Sequence, residues 1–285
     1  MNDLVPPRCD VVRGSTAAVN HKAIGKILVI VNPAAHRHPC LEKAARIAAH
    51  AGGAIELFAC DVESNLPNSW VGGDKSIQAY KQLLRKRRLD DVEQMAERVR
   101  VDGLQVSVTA EWHTMSEPGI LQHVAKSKPD LIIKDASLRG TLTRSTGQRT
   151  AWILTHQIAT PVLLVHSKPW PVQPVIVAAL KACGTDERRS SLEDALIVYV
   201  QSLSRAVDGE WVDTHPLLDK HSIASVTEQY RADILAIGVA ARSRDRDTLG
   251  AATVSQILES IECDLLILKA FKKDGALSAA RGLGQ

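Results

Sequence analysis

Short apolar runs alternate along this chain with segments whose apolar residues recur every three or four positions. Ile27-Leu28-Val29-Ile30-Val31 is a β-branched run stopped by Asn32-Pro33, which predicts a buried strand. Over 41–51, Leu41, Ala44, Ala45 and Ala48 fall at helical spacing ahead of Gly52-Gly53, a helix stop. A strand is predicted over 55–59 and an irregular stretch over 60–74. A long amphipathic helix over 76–100 follows, with Ile77, Tyr80 and Leu84, then Val92, Met95 and Val99, on one stripe. After Gly103, the alternation of Leu104, Val106 and Val108 predicts a half-buried strand. Helices over 118–126 and 150–157 and strands over 130–134 and 162–165 complete the series. Strands alternating with helices imply a doubly wound parallel sheet with helices on both faces.

The pattern then repeats. Asp130-Leu131-Ile132-Ile133-Lys134 precedes Pro161-Val162-Leu163-Leu164-Val165, and Asp233-Ile234-Leu235-Ala236-Ile237-Gly238 precedes Asp264-Leu265-Leu266-Ile267-Leu268. Asp130 to Pro161 and Asp233 to Asp264 are both 31 residues, so one α/β unit is used twice. Residues 175–179 repeat the first strand and 191–206 its helix. The copies differ in the middle: Ile27 to Asp130 spans 103 residues, Val175 to Asp233 only 58. One strand over 210–215 and one helix over 222–230 fill that interval, which predicts a second copy short of one strand–helix pair and dependent on the first for burial. The organisation expected is a flexible leader (1–25), a first domain (26–168), a proline-rich linker (169–174), a shortened second domain (175–270) and a tail (271–285).

Composition narrows the class. At 45% hydrophobic and 24% charged residues the chain is ordinary for a globular protein and unlike a disordered one. A net charge of +3 gives no reason to expect nucleic acid. No apolar run nears the roughly 20 residues of a membrane span, so no membrane association is expected. The five cysteines are scattered without a CxxC pair, which fits a reducing cytoplasm.

A five-stranded unit closing on a proline-led PVLLV strand resembles the universal stress protein family. Its tandem arrangement resembles that family's two-domain, UspE-like members. The likeness rests on Lys26-Ile27-Leu28-Val29-Ile30-Val31-Asn32-Pro33, on 130–134, and on the run from Thr150-Ala151-Trp152 to Lys168-Pro169-Trp170-Pro171. In the second copy it rests on 232–238 and on Glu262-Cys263-Asp264-Leu265-Leu266-Ile267-Leu268-Lys269. The resemblance implies a stress-response protein with no assigned substrate. Nucleotide-binding members carry a glycine after the fourth strand, a second three residues on, and a Gly-Ser or Gly-Thr after nine more. Such glycines let backbone amides approach phosphates. In the second copy Gly238 matches the first, Ala241 stands at the second, and Ala251-Ala252 at the pair, with Gly250 one residue early and Thr253 one late. In the first copy Lys134 and Ser137 occupy the two glycine positions. The acidic residue expected at strand one is Asn32 in the first copy and absent near Leu180 in the second. An added Cβ at a phosphate contact clashes or pushes the loop outward. These losses weigh against ATP, more heavily in the first copy, and no cofactor is expected.

Other groups read more plainly. Arg242-Ser243-Arg244-Asp245-Arg246-Asp247 follows a strand end where α/β sheets present ligands, yet its alternating charges neutralise one another. Lys86-Arg87-Arg88 is an exposed helix face beside Asp90, Asp91 and Glu93. His36, His38 and Cys40 match no zinc spacing, so no metal is expected. Gly72-Gly73-Asp74-Lys75-Ser76 lacks the phosphate-loop pattern, and Trp152 and Trp170 read as packing anchors. No serine elbow or HExxH occurs. The function expected is a non-catalytic cytoplasmic protein that acts by binding. Gly238, Arg242, Gly250 and Thr253 are its candidate ligand contacts, and its partner is an unidentified small molecule or protein, with homodimerisation open. Two alternatives stand beside it: a carrier of an apolar or amphipathic molecule, and a weak ATP-binding regulator acting through the second copy. An enzyme on the same fold would want a phosphate loop where Asn32-Pro33-Ala34-Ala35 stands.

Overall fold

The computed structural model describes residues 24–62, 74–100, 103–113, 116–136, 154–155, 157–180, 191–214, 220–240 and 251–270. Residues 1–23 of the leader, the tail, Trp152 and the 242–247 charge run lie outside them. The first half contains β1 (Lys26–Ile30), α1 (Pro39–Ala51), β2 (Ala54–Val62), α2 (Asp74–Arg100), β3 (Val106–His113), α3 (Ser116–Ser127), β4 (Leu131–Asp135) and β5 (Val162–Val165). The second contains β6 (Val175–Ala179), α4 (Ser191–Val207), β7 (Glu210–Thr214), α5 (Lys220–Gln229), β8 (Ile234–Ala240), α6 (Ala251–Ser260) and β9 (Asp264–Ala270). Of the helix expected over 150–157, Leu154, Thr155 and Gln157 are described and helical. Cys60, Asp61 and Val62, expected to be irregular, belong to β2. They pair with Glu111, Trp112 and His113, so the ladder extends the strand past its apolar stretch.

The nine strands among the described residues form one sheet in the order β3-β2-β1-β4-β5-β9-β8-β6-β7. Each half is parallel, and the halves meet where β5 runs antiparallel to β9, with Leu163 opposite Leu266. The duplicated segments are offset by 103 residues, and Leu266 is Leu163 shifted by that same offset. A position paired with its own copy lies on a pseudo-twofold axis, as at an isologous dimer interface. Among the described residues the second half supplies four strands to the first half's five. No strand among the described residues lies outside β7 in the way β3 lies outside β2.

The repeat is visible in backbone chemistry as well as in pattern. Asp130 heads β4 because its carboxylate accepts the N–H groups of Gly25 (3.2 Å) and Lys26 (3.0 Å), fastening the start of β1. Asp233 does the same for Val175 of β6 at 3.0 Å. Gly53 and Gly209 immediately precede β2 and β7, where an added Cβ would lie 2.6 Å from the Ile24 carbonyl and 2.5 Å from that of Pro174. Only glycine allows that approach. Gly52 ends α1 in the left-handed region at φ 68°, its N–H bonded to the Ala48 carbonyl, a standard helix stop.

Strand alternation splits the core into two layers. Ile27 and Val29 face α1, α2 and α4, packing with Ile47, Val92 and Val200. Leu28 and Ile30 face the other side with Ile120, Leu154, Ile223 and Ile257. Both layers run continuously through the two halves. Polar contacts also cross between them. Lys43 of α1 donates to both carboxylate oxygens of Asp264, at 2.9 and 2.6 Å, with both side chains almost fully buried. The His166 N–H and the Trp170 indole N–H complete the shell, each at 2.7 Å. Burial pushes the Asp264 carboxyl up, and Lys43 acts against it. Arg46 donates to the carbonyls of Pro171, Val172 and Val207, and Tyr199 of α4 donates to the Asp130 carbonyl at 3.1 Å.

Candidate functional site at the carboxyl ends of the strands

In open α/β sheets a crevice forms outside the carboxyl ends of the strands, where the winding direction reverses. Here one reversal lies between β1 and β4 and the second between β6 and β8. In the first half, the chain leaves β1 through a turn closed by Asn32. Its side-chain oxygen accepts the Ala34 N–H at 3.2 Å and its carbonyl the Ala35 N–H at 2.9 Å. That carboxamide is thereby spent on the local backbone.

The chain then enters α1, and here the crevice is bridged. Asp135, the last residue of β4, accepts the Cys40 backbone N–H at 2.8 Å through Oδ1 and the Cys40 thiol at 3.2 Å through Oδ2. The free amides of a helix N-terminus favour an anion, and in this chain the anion is its own aspartate. Burial, then the charge of Asp135, push the Cys40 thiol well up, so it is a neutral and unreactive group. Lys134 beside it donates to the Asp135 carbonyl at 3.2 Å. Burial lowers its pKa, and Asp135 opposes that shift.

In the second half, Gly238 of β8 faces α4. A Cβ placed on it would lie 3.0 Å from the Leu192 Cγ, so the space a glycine would leave for a ligand is filled by a leucine. Strand register also corrects one sequence assignment. Ile30 pairs with Lys134, and its counterpart Ala179 pairs with Ile237. Lys134 therefore corresponds to Ile237, and the residue that corresponds to Gly238 is Asp135. Counting five residues from the strand-leading aspartates, Asp130 and Asp233, yields the same match; counting from the strand's last apolar residue misplaces it by one.

Of the four candidate contacts, Gly238 is placed as described and Thr253 belongs to α6, its side chain outside the described residues. Arg242 and Gly250, like Ser137, Ala241 and Gly72-Gly73, lie outside them too. His36 is exposed and His38 half-buried. Among the described residues no group of three His, Cys, Asp or Glu could hold a metal, and no helix is long and apolar enough to cross a membrane. Asp135 and Leu192 escaped the sequence reading because neither belongs to a binding pattern. Trp170, read as an anchor, is half-buried and carries a hydrogen bond across the seam to the buried Asp264.

The geometry agrees with what the chain resembles among known proteins. It is 19% identical over 294 residues to universal stress protein E of Escherichia coli (strain K12), an alignment covering 85% of this chain and 93% of that protein. A functionally unknown protein from Pseudomonas aeruginosa PAO1 superposes with a TM-score of 0.64 at 18% identity, over 87% of this chain and 93% of the other. A universal stress protein from Archaeoglobus fulgidus gives a TM-score of 0.59 at 12% identity, over 86% and 96%. Residues 23–166 match the model of the universal stress protein family. With that match over half its length, and the same winding used twice in one sheet, the chain belongs to the universal stress protein family.

Proposed function

We propose that this chain is a non-catalytic stress-response protein of the tandem type that acts by binding, with nucleotide pockets that have degenerated in both halves. The observation that carries the reading is the pair of bridged crevices. A phosphate approaching α1 meets the Asp135 carboxylate already bonded to Cys40, and like charges at that distance repel. In the second half Leu192 lies where Gly238 would admit a ligand. In the first crevice burial, together with the thiol–carboxylate contact of Cys40 with Asp135, pushes the thiol pKa up and leaves it unactivated, which supports a role without turnover. The chain division at 26–168, 169–174 and 175–270, a cytoplasmic location and homodimer formation belong to the same proposal. Any ligand taken by the second half is expected at Gly238, Arg242, Gly250 and Thr253.

Equilibrium dialysis of the full chain against radiolabelled ATP tests this reading, followed by assay for released phosphate. Neither retention nor hydrolysis is expected. Micromolar retention that disappears in Gly238→Val would overturn it.

A further inference from the structure

At the outer edge of the first half, away from both crevices, a cleft of about 360 Å³ wraps the terminal strand β3. Its walls come from both faces of the sheet. Arg85 enters from α2, His123 and Lys126 from α3, and Glu111, Trp112 and His113 from β3 between them.

The charges in this cleft are unequally committed. Glu111 is the carboxylate of the lining, and both its oxygens are taken: Oε2 by His113 Nε2 at 3.1 Å and Oε1 by His123 Nδ1 at 3.3 Å. His123 continues inward to the buried Glu56, with Nε2 to Oε1 at 2.8 Å, and stacks on Phe58 at a centroid distance of 4.0 Å. Glu56 also receives the Ser127 hydroxyl and the Lys26 ammonium. Burial pushes the Glu56 carboxyl up, but these donors outweigh it and hold it at about 2. The same opposition, with His113 and His123 as donors, lowers Glu111. His113 is held in place by Gly119, where an added Cβ would lie 2.2 Å from the imidazole ring.

The negative charge is therefore absorbed within the wall. Arg85 and Lys126 are exposed, and among the described residues neither is paired with a carboxylate. Trp112 adds an aromatic surface and a buried indole N–H without an acceptor among the described residues, a donor that is costly to leave unmet. We propose that this cleft binds a small organic anion, its carboxylate or phosphate group between Arg85 and Lys126 and its apolar body along Trp112. Two cations from different helices converge on one concave, partly aromatic space, and concave sites with a few convergent polar groups are where small ligands bind. The site stands apart from the crevices and does not depend on their state.

Isothermal titration of the full chain at low ionic strength tests it, with phenyl phosphate and benzoate as probes and benzyl alcohol as the uncharged comparator. Saturable binding of either anion is expected, weakened about tenfold or more by Arg85→Glu and by Lys126→Glu. Lys86→Glu makes the same charge change one residue away on α2, outside the lining, and is expected to change affinity by less than about twofold. Melting curves of the three variants check that each is folded. The proposal fails if neither anion saturates, if Lys86→Glu weakens binding as much as Arg85→Glu, or if benzyl alcohol binds equally well.

Discussion

The two halves share a winding and a set of backbone fastenings but place different chemistry at equivalent points. Asp130 and Asp233 fasten the first strand of each half in the same way. Five residues further on, the halves part: Asp135 binds the start of α1, whereas Gly238 leaves room that Leu192 takes. At the head of the last strand, Pro161 in the first half corresponds to Asp264 in the second, whose carboxylate takes Lys43 across the seam. On β2, Glu56 stands where β7 carries Val212, since the matching residues Leu28 and Val177 pair with them. What a duplicated fold keeps is the set of contacts that close its own strands. Positions facing the crevices, the seam and the outer edge have diverged between the halves, because the contacts that close each half's strands do not pass through them.

The largest test of this contrast is at the seam. Lys43→Met leaves a buried carboxylate without its cation and is expected to cost about 3–5 kcal/mol, read from urea unfolding. Pro161→Ala, at the uncharged counterpart of Asp264, is expected to cost within about 1 kcal/mol. Equal losses would show that the two strand heads are not chemically distinct. Next comes acid lability. Glu56 is held at about 2, below its ordinary 4.5, so its contribution is complete above pH 4.5 and is lost as pH falls through about 2. That contribution is at most about 3 kcal/mol. Urea titrations at a series of pH values should find the gap between the wild type and Glu56→Gln narrowing across this window; a constant gap would contradict the assignment.

At the crevices, Asp135→Ala removes the acceptor at the α1 N-terminus and is expected to destabilise by about 1–2 kcal/mol. Gly238→Ala brings its Cβ to 3.0 Å from the Leu192 Cγ and 3.1 Å from its Cδ2, a contact that a small shift of the half-buried leucine relieves, and should cost less than about 1 kcal/mol. A reversed order would mean that Gly238 faces something other than Leu192. The smallest effect concerns helix ends. Gly52 and Asp208 precede the equivalent Gly53 and Gly209, and both have positive φ, at 68° and 52°. Asp208→Gly should relieve strain and stabilise the chain by roughly 0.5 kcal/mol, seen as a small rise in melting temperature.

Much of the fold was legible in the chain because strands and helices announce themselves locally. The run from Ile27 to Val31, the Gly52-Gly53 stop and the 31-residue spacing of the strand pairs each depend on residues close in sequence. Less of the candidate site was legible. Gly238 could be matched to a pattern, but Asp135 and Leu192 act through contacts with Cys40 and Gly238, 95 residues away in the first case. The Glu56, Glu111, His113 and His123 chain joins β2, β3 and α3, and no spacing links those residues before the sheet is assembled.

Sequence alone determined that an α/β unit occurs twice, since period and β-branched composition are properties of neighbouring residues. Tertiary structure decided that the two units share one nine-stranded sheet through β5 and β9. It also decided which charges face each other. An edge strand carries unmet backbone groups whatever its sequence, and only the folded chain reveals which other edge satisfies them.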